Sequence, residues 1–219
     1  MLEEEAIKKG IDIESLKAEQ KRLAKNLSLK DEFNFDNATR FAGVDILVDQ
    51  KNKRMIAAIV VLDENLEPVE EKYAQGKISF PYIPGLRAYR ELPLMVEVFK
   101  KLEEIPDVIF VLGHGIAHPR GLGIASHFGL VINKATIGIA KKVLVGEQKD
   151  NEIILNRKII AKAVVTKQGS NPIYVSQGNM ISLDTAVKIT QKCAKEPHKL
   201  PEPIVKTRRY LDRIIKTLV

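Results

Sequence analysis

An almost uniformly apolar segment, residues 40–48, sets the architecture that this chain can adopt. Its sequence, Arg-Phe-Ala-Gly-Val-Asp-Ile-Leu-Val, is typical of a central strand that is covered on both faces. A second apolar segment at 54–62 and a third strand pattern at 67–75 follow across short polar turns, so the three predict an antiparallel meander. Asp45 stands inside the first strand, where a buried carboxylate needs a partner, either a bound cation or a structural salt bridge.

The rest of the chain alternates helical and extended patterns. Helical spacing of apolar residues or capping signals predict helices at about 12–27, 87–103, 123–130, 182–193 and from Pro201 onward. Strands are predicted at 107–112 and 136–140, as a β-ribbon within 143–165, and at 173–175. The pattern predicts an α/β fold in a single domain, residues 1–219, with an N-terminal helix packed at its edge and a core from about residue 40.

Charge and cysteine content limit the class of protein. The 219 residues carry 35 Lys+Arg against 28 Asp+Glu, a net charge of +7. This excess fits nucleic-acid binding, although proteins of thermophiles are also rich in Lys and Glu. Cys193 is the only cysteine, which excludes an intrachain disulfide or a CxxC metal site and favours the reducing cytoplasm. The start, Met-Leu-Glu-Glu-Glu, does not resemble a signal peptide, and no apolar run is long enough for a membrane span.

Residues 80–91 form the most distinctive loop, Phe-Pro-Tyr-Ile-Pro-Gly-Leu-Arg-Ala-Tyr-Arg-Glu. Pro81 and Pro84 stiffen the backbone on both sides of Tyr82 and Ile83, which predicts a loop that projects both side chains. Such a wedge is suited to entering a base stack. The alternative is a loop that only packs against the core. Glu91 shares the apolar stripe of the following helix and should face the sheet.

A glycine-rich loop follows the predicted strand at 107–112. Four glycines lie within residues 113–123, together with His114, His118 and Arg120, and they allow the backbone to approach a ligand closely. The helix that begins after this loop offers a possible anion site at its N-terminus. Lys141, at the end of the strand 136–140, is placed to reach a phosphate or to remain on a solvated rim.

Several of these motifs together resemble the endonuclease V family. They are Phe41-Ala-Gly-Val-Asp45, Phe80-Pro-Tyr-Ile-Pro-Gly85, Arg90-Glu91, Gly113-His-Gly-Ile-Ala-His-Pro-Arg120, Leu122-Gly-Ile-Ala-Ser-His127, Thr136-Ile-Gly-Ile-Ala-Lys141, Val175-Ser-Gln-Gly178 and Pro201-Glu-Pro203. The resemblance implies a ribonuclease H-like mixed sheet with an antiparallel meander and flanking helices. It also implies a metal-dependent nuclease of DNA repair that recognises hypoxanthine by base flipping. Such an enzyme cuts the second phosphodiester bond 3′ to the lesion and leaves 5′-phosphate ends.

The resemblance also assigns roles to residues. Asp45 and Glu91 would hold Mg²⁺, with Mn²⁺ as an alternative, and Lys141 would lie near the scissile phosphate. Wedge and base pocket would be formed by Pro81, Tyr82, Ile83, Pro84, Gly85, Gly113, His118, Gly123 and Ile124. DNA with deaminated bases is the expected partner and inosine-containing RNA an alternative. The protein is expected to be a cytoplasmic monomer with no membrane contact.

Three positions depart from the family pattern. Leu112 stands where a third metal-binding Asp is expected, Arg208 where many members carry a His or Asp, and Arg87 where an apolar residue is usual. Asp107 is too far along the strand to replace the missing acid. Two hypotheses follow. Either the chain is an active endonuclease whose metal is held by Asp45, Glu91 and water, with Asp212 as a further candidate ligand, or it is a lesion-binding protein that cuts poorly or not at all. A DNA-binding protein without lesion preference is a third reading.

Overall fold

The computed structural model describes residues 10–218. Five α-helices lie at Ile13–Ala24 (α1), Arg87–Phe99 (α2), Ile124–Ile132 (α3), Leu183–Lys192 (α4) and Glu202–Thr217 (α5). Nine strands lie at Phe41–Asp49 (β1), Arg54–Leu62 (β2), Pro68–Lys77 (β3), Val108–Leu112 (β4), Thr136–Ala140 (β5), Glu147–Lys149 (β6), Glu152–Leu155 (β7), Lys158–Val164 (β8) and Ile173–Asn179 (β9). A short 3₁₀ helix spans Phe35–Asn37.

All nine strands join one mixed sheet, in the order β3-β2-β1-β4-β5-β9-β8-β7-β6. The predicted meander is confirmed, because β1 pairs antiparallel with β2 and β2 pairs antiparallel with β3. β4 then pairs parallel with β1 on its other side, and β5 pairs parallel with β4. β4 and β5 therefore end together beside the middle of β1, and the ends of parallel strands are where functional loops are presented.

Helices cover both faces of this sheet. On β1, Ala42 and Val44 pack into a core with α2 and α3, while Phe41 packs into the opposite core with α5. Asp45 alternates with Val44 and therefore faces the side of α5. The approach of α5 is close: a Cβ added to Gly43 would lie 2.1 Å from the carbonyl oxygen of Pro203.

Three predicted boundaries differ from the structure. α2 ends at Phe99 rather than near residue 103, because the turns at Lys101 and Leu102 bond three residues back and tighten the chain. The ribbon begins at Glu147 rather than at residue 143, after Gly146 adopts a φ of +88°. β9 continues from Ile173 to Asn179 and is longer than expected.

The N-terminal helix packs against the loop of residues 80–91, the proline loop. Ile13 and Leu16 of α1 contact the cluster formed by Ile83 and Leu86. The helix thus supports the proline loop from below. Residues 1–5, which carry the expectation about a signal peptide, lie outside the described part of the chain. Within residues 10–218, no helix is long and apolar enough to cross a membrane.

Candidate nucleic-acid site

Of the two side chains between Pro81 and Pro84, the structure presents only one to solvent. Tyr82 is 52% exposed, whereas Ile83 is 0% exposed and packs with Ile13 and Leu86. The prediction that Ile83 projects as part of the wedge is therefore wrong. The two residues take opposite roles because α1 covers one side of the loop. Ile83 anchors the loop, and Tyr82 forms its tip.

A partly buried set of hydrogen bonds fixes the base of this loop at Gly85. Its carbonyl oxygen accepts from Gln20 Nε2 at 3.1 Å, His118 Nε2 at 3.1 Å and an Arg120 guanidinium nitrogen at 2.8 Å. Arg120 Nε also donates to Gln20 Oε1 at 2.6 Å. Gly85 has a φ of +76°, and a Cβ there would meet Arg120 at 2.6 Å, so the turn requires glycine. The base of the loop is thus held by two other segments of the chain, α1 and the glycine-rich loop.

His118 takes part in this network as a neutral ring. Burial, followed by the charge of Arg120, lowers the pKa of His118 to about 4. Its Nε2–H donates to the Gly85 carbonyl, and its Nδ1 accepts from the Arg120 backbone N–H at 3.3 Å. This arrangement uses one tautomer of the neutral imidazole. The side chain of His118 is thus bonded to the backbone of Gly85, and its place in a base pocket stays a prediction.

The low pKa of His118 gives a pH-dependent stability with a defined sign. Between about pH 6.5 and 4, the unfolded chain gains a proton on His118 that the folded chain does not, so the free energy of unfolding falls as pH falls. His118→Gln is expected to lose this component, which amounts to at most about 1.4 kcal/mol per pH unit. Urea unfolding of both proteins from pH 7 to 4 measures the difference. Parallel curves would contradict the assignment.

A cavity of about 250 Å³ lies beside the loop. It is lined by Gln20, Tyr82, Pro84, Gly85, Arg87, Ala88, His114, His118, Leu122, Gly123, Ile124 and Leu144. This volume is near the lower end for small-molecule pockets and is suited to a single base. The predicted pocket residues Gly85, His118, Gly123 and Ile124 are thus brought together. Gly113 borders the same cavity, because a Cβ there would lie 2.4 Å from Ile124 and 3.2 Å from Arg87.

Gln20 and Leu144 are among the lining residues that the sequence analysis does not identify. Gln20 is 1% exposed and stands on the apolar stripe of α1, where a lone polar residue between leucines is a detectable signal of a buried contact. Leu144 lies in the segment assigned to the ribbon and is 47% exposed. Nothing in the local pattern distinguishes it from a strand residue.

Asp45 and Glu91 converge as predicted, although they come from opposite sides of the sheet. Asp45 faces α5, and Glu91 extends from α2; both are buried, at 5% and 4% exposure. They meet where β4 ends at Leu112. Arg87 lies between them: its Nε donates to Glu91 Oε2 at 2.8 Å, and another guanidinium nitrogen lies 4.0 Å from Asp45 Oδ1. A third Arg87 nitrogen donates to the Leu112 carbonyl oxygen at 2.9 Å.

A second arginine approaches Asp45 from α5. A guanidinium nitrogen of Arg208 lies 3.2 Å from Asp45 Oδ2, and the Ile46 backbone N–H donates to Oδ1 at 2.8 Å. Burial raises the pKa of Asp45 to about 6, against the opposing effects of these partners. Burial alone would lower the pKa of Arg87. The hydrogen bond to Glu91 and the negative charge of Glu91 have the larger combined effect and raise the pKa of Arg87 above its usual value. Both acids are therefore matched with guanidinium groups.

The divalent metal that the family resemblance implies does not fit this arrangement. The position between Asp45 and Glu91 is filled by a guanidinium, and Leu112 supplies only a carbonyl oxygen, which Arg87 already uses. Among residues 10–218, no group of three or more His, Cys, Asp or Glu side chains could hold a metal ion. The suggestion that Asp212 completes a metal site is thus wrong, and this side chain is exposed. The cationic group that lies between the two acids in the structure is the guanidinium of Arg87.

The remaining candidates lie around this centre. Lys141 is exposed immediately after β5, whose Ile139 pairs with Leu112. His114 forms a 3.0 Å hydrogen bond to the carbonyl of Lys142 and ties the glycine loop to this strand end. Asp107 accepts hydrogen bonds from the backbone at the other end of β4, which agrees with its exclusion as a substitute acid.

The fold and site define a protein of the ribonuclease H-like class, with Asp45 on β1 and Glu91 on α2 linked through Arg87 to a base-sized cavity. The sequence model for endonuclease V matches residues 21–209. The chain belongs to the endonuclease V family, which places it among nucleases of DNA repair.

Relatives and solved structures agree with this assignment. Endonuclease V of Thermosipho melanesiensis is 39% identical over 199 residues, which cover 87% of this chain and 86% of the relative. The crystal structure of endonuclease V from Streptomyces avermitilis superposes with a TM-score of 0.87 at 31% identity, covering 94% of each chain. Endonuclease V of Ciona intestinalis, in complex with a 24mer DNA containing an inosine followed by a ribo-adenosine, gives a TM-score of 0.85 at 27% identity, covering 94% of this chain and 98% of that one.

Proposed function

We propose that this protein recognises hypoxanthine in DNA by accepting the flipped base into the cavity beside the proline loop. The observation that carries this proposal is an exposed Tyr82 beside a base-sized cavity, on a loop that is fixed by partly buried hydrogen bonds. Flipping a base costs a few kcal/mol and costs less at a mismatched lesion, so a rigid element that fills the gap favours lesions. The inosine-containing DNA bound to the Ciona relative supports this substrate.

The cavity favours recognition of the base edge by the backbone. Gly85, Gly113 and Gly123 bring main-chain groups close to the space that a base would occupy. Hypoxanthine carries an O6 acceptor and an N1–H donor, whereas adenine presents a donor and an acceptor at the same positions. Main-chain N–H and C=O groups can distinguish these patterns without a charged side chain. Pro81 and Pro84 keep Tyr82 at the tip.

The positive surface provides contacts to the DNA backbone. The net charge is +7, and Lys141 and Lys142 are exposed after β5, next to the acidic pair. Lysines in this position are suited to binding phosphates of the strand that carries the lesion. Inosine in RNA has the same base, so an RNA strand is a second ligand for the same pocket.

We further propose that cutting by this chain is slow compared with binding. The reaction of the family would hydrolyse the second phosphodiester bond 3′ to the lesion, with Asp45, Glu91 and Lys141 as the candidate catalytic residues. Arg87 already occupies the space between the two acids, and Leu112 provides no carboxylate. A fully active endonuclease is the second candidate, which the convergence of Asp45 and Glu91 favours.

One experiment with two readouts, binding and nicking, tests both proposals. A labelled duplex with one inosine, and a matched duplex with adenine in its place, are incubated with the protein in Mg²⁺ or Mn²⁺. The expected result is at least about tenfold tighter binding to inosine, corresponding to about 1.4 kcal/mol, with little nicking. Equal affinity for both duplexes would overturn the recognition proposal. Rapid nicking at the second bond 3′ to inosine would instead establish the second candidate.

A further inference from the structure

We propose that the guanidinium of Arg87 is a resident cation that takes the place of a divalent metal, so that the site binds nucleic acid without one. The DNA ligand in this inference rests on the proposed recognition of lesion-containing DNA. The role of Arg87 as the cation between Asp45 and Glu91 does not depend on that proposal. It concerns a feature of this chain that the family resemblance does not supply, because an apolar residue was expected at this position.

The geometry of Arg87 is that of a fixed group. Three of its nitrogens point at three different elements: Nε to Glu91 on α2 at 2.8 Å, one terminal nitrogen to the Leu112 carbonyl on β4 at 2.9 Å, and the other toward Asp45 on β1 at 4.0 Å. A planar fork with five N–H donors is suited to such bridging, unlike the single ammonium of lysine. Arg87 therefore connects the same elements that a shared metal would connect.

The charges of the cluster also balance. Asp45 and Glu91 contribute two negative charges at neutral pH, and Arg87 and Arg208 contribute two positive charges. A divalent ion would supply the same total. Binding such an ion between Asp45 and Glu91 would require Arg87 to leave its 2.8 Å contact. The cluster would then carry one excess positive charge if Arg87 moved away, and two if Arg87 stayed beside it. Two arginines thus exclude a metal electrostatically as well as sterically.

Arg87 also faces the base cavity. It lines the cavity with Tyr82 and Gly123, and its side chain is 34% exposed while one edge remains bonded to Glu91. Gly113 allows this approach, since a Cβ there would lie 3.2 Å from an Arg87 terminal nitrogen. A guanidinium with an exposed face beside a nucleotide pocket is suited to contacting a phosphate oxygen. The expected ligand atom is a phosphate of the lesion-bearing strand.

Thermal melting of the free protein tests the resident cation without DNA. The wild-type melting temperature is expected to be the same in EDTA, Mg²⁺ and Mn²⁺. Arg87→Leu leaves Glu91 without its 2.8 Å partner and is expected to melt on the order of 10 °C lower in EDTA. Mn²⁺ is expected to restore several degrees to this variant, because a cation can then enter between the acids. Arg40→Leu is the matched control, since its side chain is 37% exposed at the opposite end of β1.

A titration with DNA tests the phosphate contact. Wild-type affinity for the inosine duplex is expected to be equal in EDTA and in Mg²⁺ at constant ionic strength. Arg87→Lys keeps the charge but not the fork; it is expected to fold and to bind about tenfold more weakly, whereas Arg40→Leu is expected to change affinity little.

The outcomes separate the two proposals. If wild-type melting rises in Mn²⁺ as much as that of Arg87→Leu, the resident-cation proposal fails whether or not inosine is preferred. If Arg87→Leu does not fold, the wild-type and Arg87→Lys melts decide the same question. If the melting temperatures follow the expected pattern but the inosine and control duplexes bind with equal affinity, the assignment of Arg87 as the resident cation stands and the recognition proposal fails.

Discussion

The double variant Arg87→Leu, Leu112→Asp is expected to nick an inosine duplex in Mg²⁺ or Mn²⁺ at least about 10²-fold faster than the wild type. A direct electrostatic contact to the reacting group contributes about 3 to 5 kcal/mol to transition-state stabilisation. At about 1.36 kcal/mol per tenfold change in rate, this corresponds to roughly 10² to 10⁴. The first substitution frees the space between Asp45 and Glu91, and the second adds a carboxylate at the end of β4.

The single variants make this prediction specific. Leu112→Asp alone leaves Arg87 in place and gives its guanidinium another acid to bind. Arg87→Leu alone leaves only two acids. Because the two positions are in contact, their effects should not add, and neither single change should reach the rate of the double variant. Adding Glu91→Gln to the double variant should abolish the gain. A folded double variant that cuts no faster than the wild type would contradict the conclusion that Arg87 and Leu112 keep a metal from Asp45 and Glu91.

Tyr82→Ala is expected to lower the preference for inosine over the control duplex by about tenfold. Stacking of an aromatic side chain on a base contributes about 1 to 3 kcal/mol, and about 1.4 kcal/mol is a factor of ten. The loss should fall on the inosine duplex, because Tyr82 can only fill a gap where a base has left the stack.

A second exposed tyrosine provides the control. Tyr73 on β3 is 40% exposed, and its ring packs against Tyr210 rather than near the cavity. Tyr73→Ala should keep the wild-type preference. Measurement of both affinities for each variant by fluorescence anisotropy gives the ratio directly. An unchanged ratio in Tyr82→Ala would show that the loop tip does not act as a wedge.

Features that depend on local pattern could be predicted from sequence. β5 was placed at Thr136–Ala140, as observed, because a short apolar run is bounded by clear breaks. The meander followed from consecutive strands joined by short turns. The burial of Glu91 followed from its place on the apolar stripe of α2. In each case the periodicity of the chain determines the environment of the residue.

Features that depend on distant segments could not be predicted. The local sequence predicts that Ile83 is part of the loop tip. In the folded chain Ile83 is buried instead, because Ile13 of the distant helix α1 packs against it. Arg87 and Arg208 were noted as unusual residues, but their pairing with Asp45 depends on α2 and α5 meeting at the end of β4. A buried acid signals that a cation is needed; it does not identify which cation meets the need.

The most direct test of whether Arg87 keeps a metal from Asp45 and Glu91 is the uptake of Mn²⁺ by the free protein. The electron paramagnetic resonance signal of the aqueous ion measures this uptake. Wild-type protein is expected to leave the signal unchanged, while Arg87→Leu, Leu112→Asp should remove about one ion per chain by offering three carboxylates to it. If the wild type removes one ion per chain with the affinity of the double variant, Arg87 does not hold the cation position.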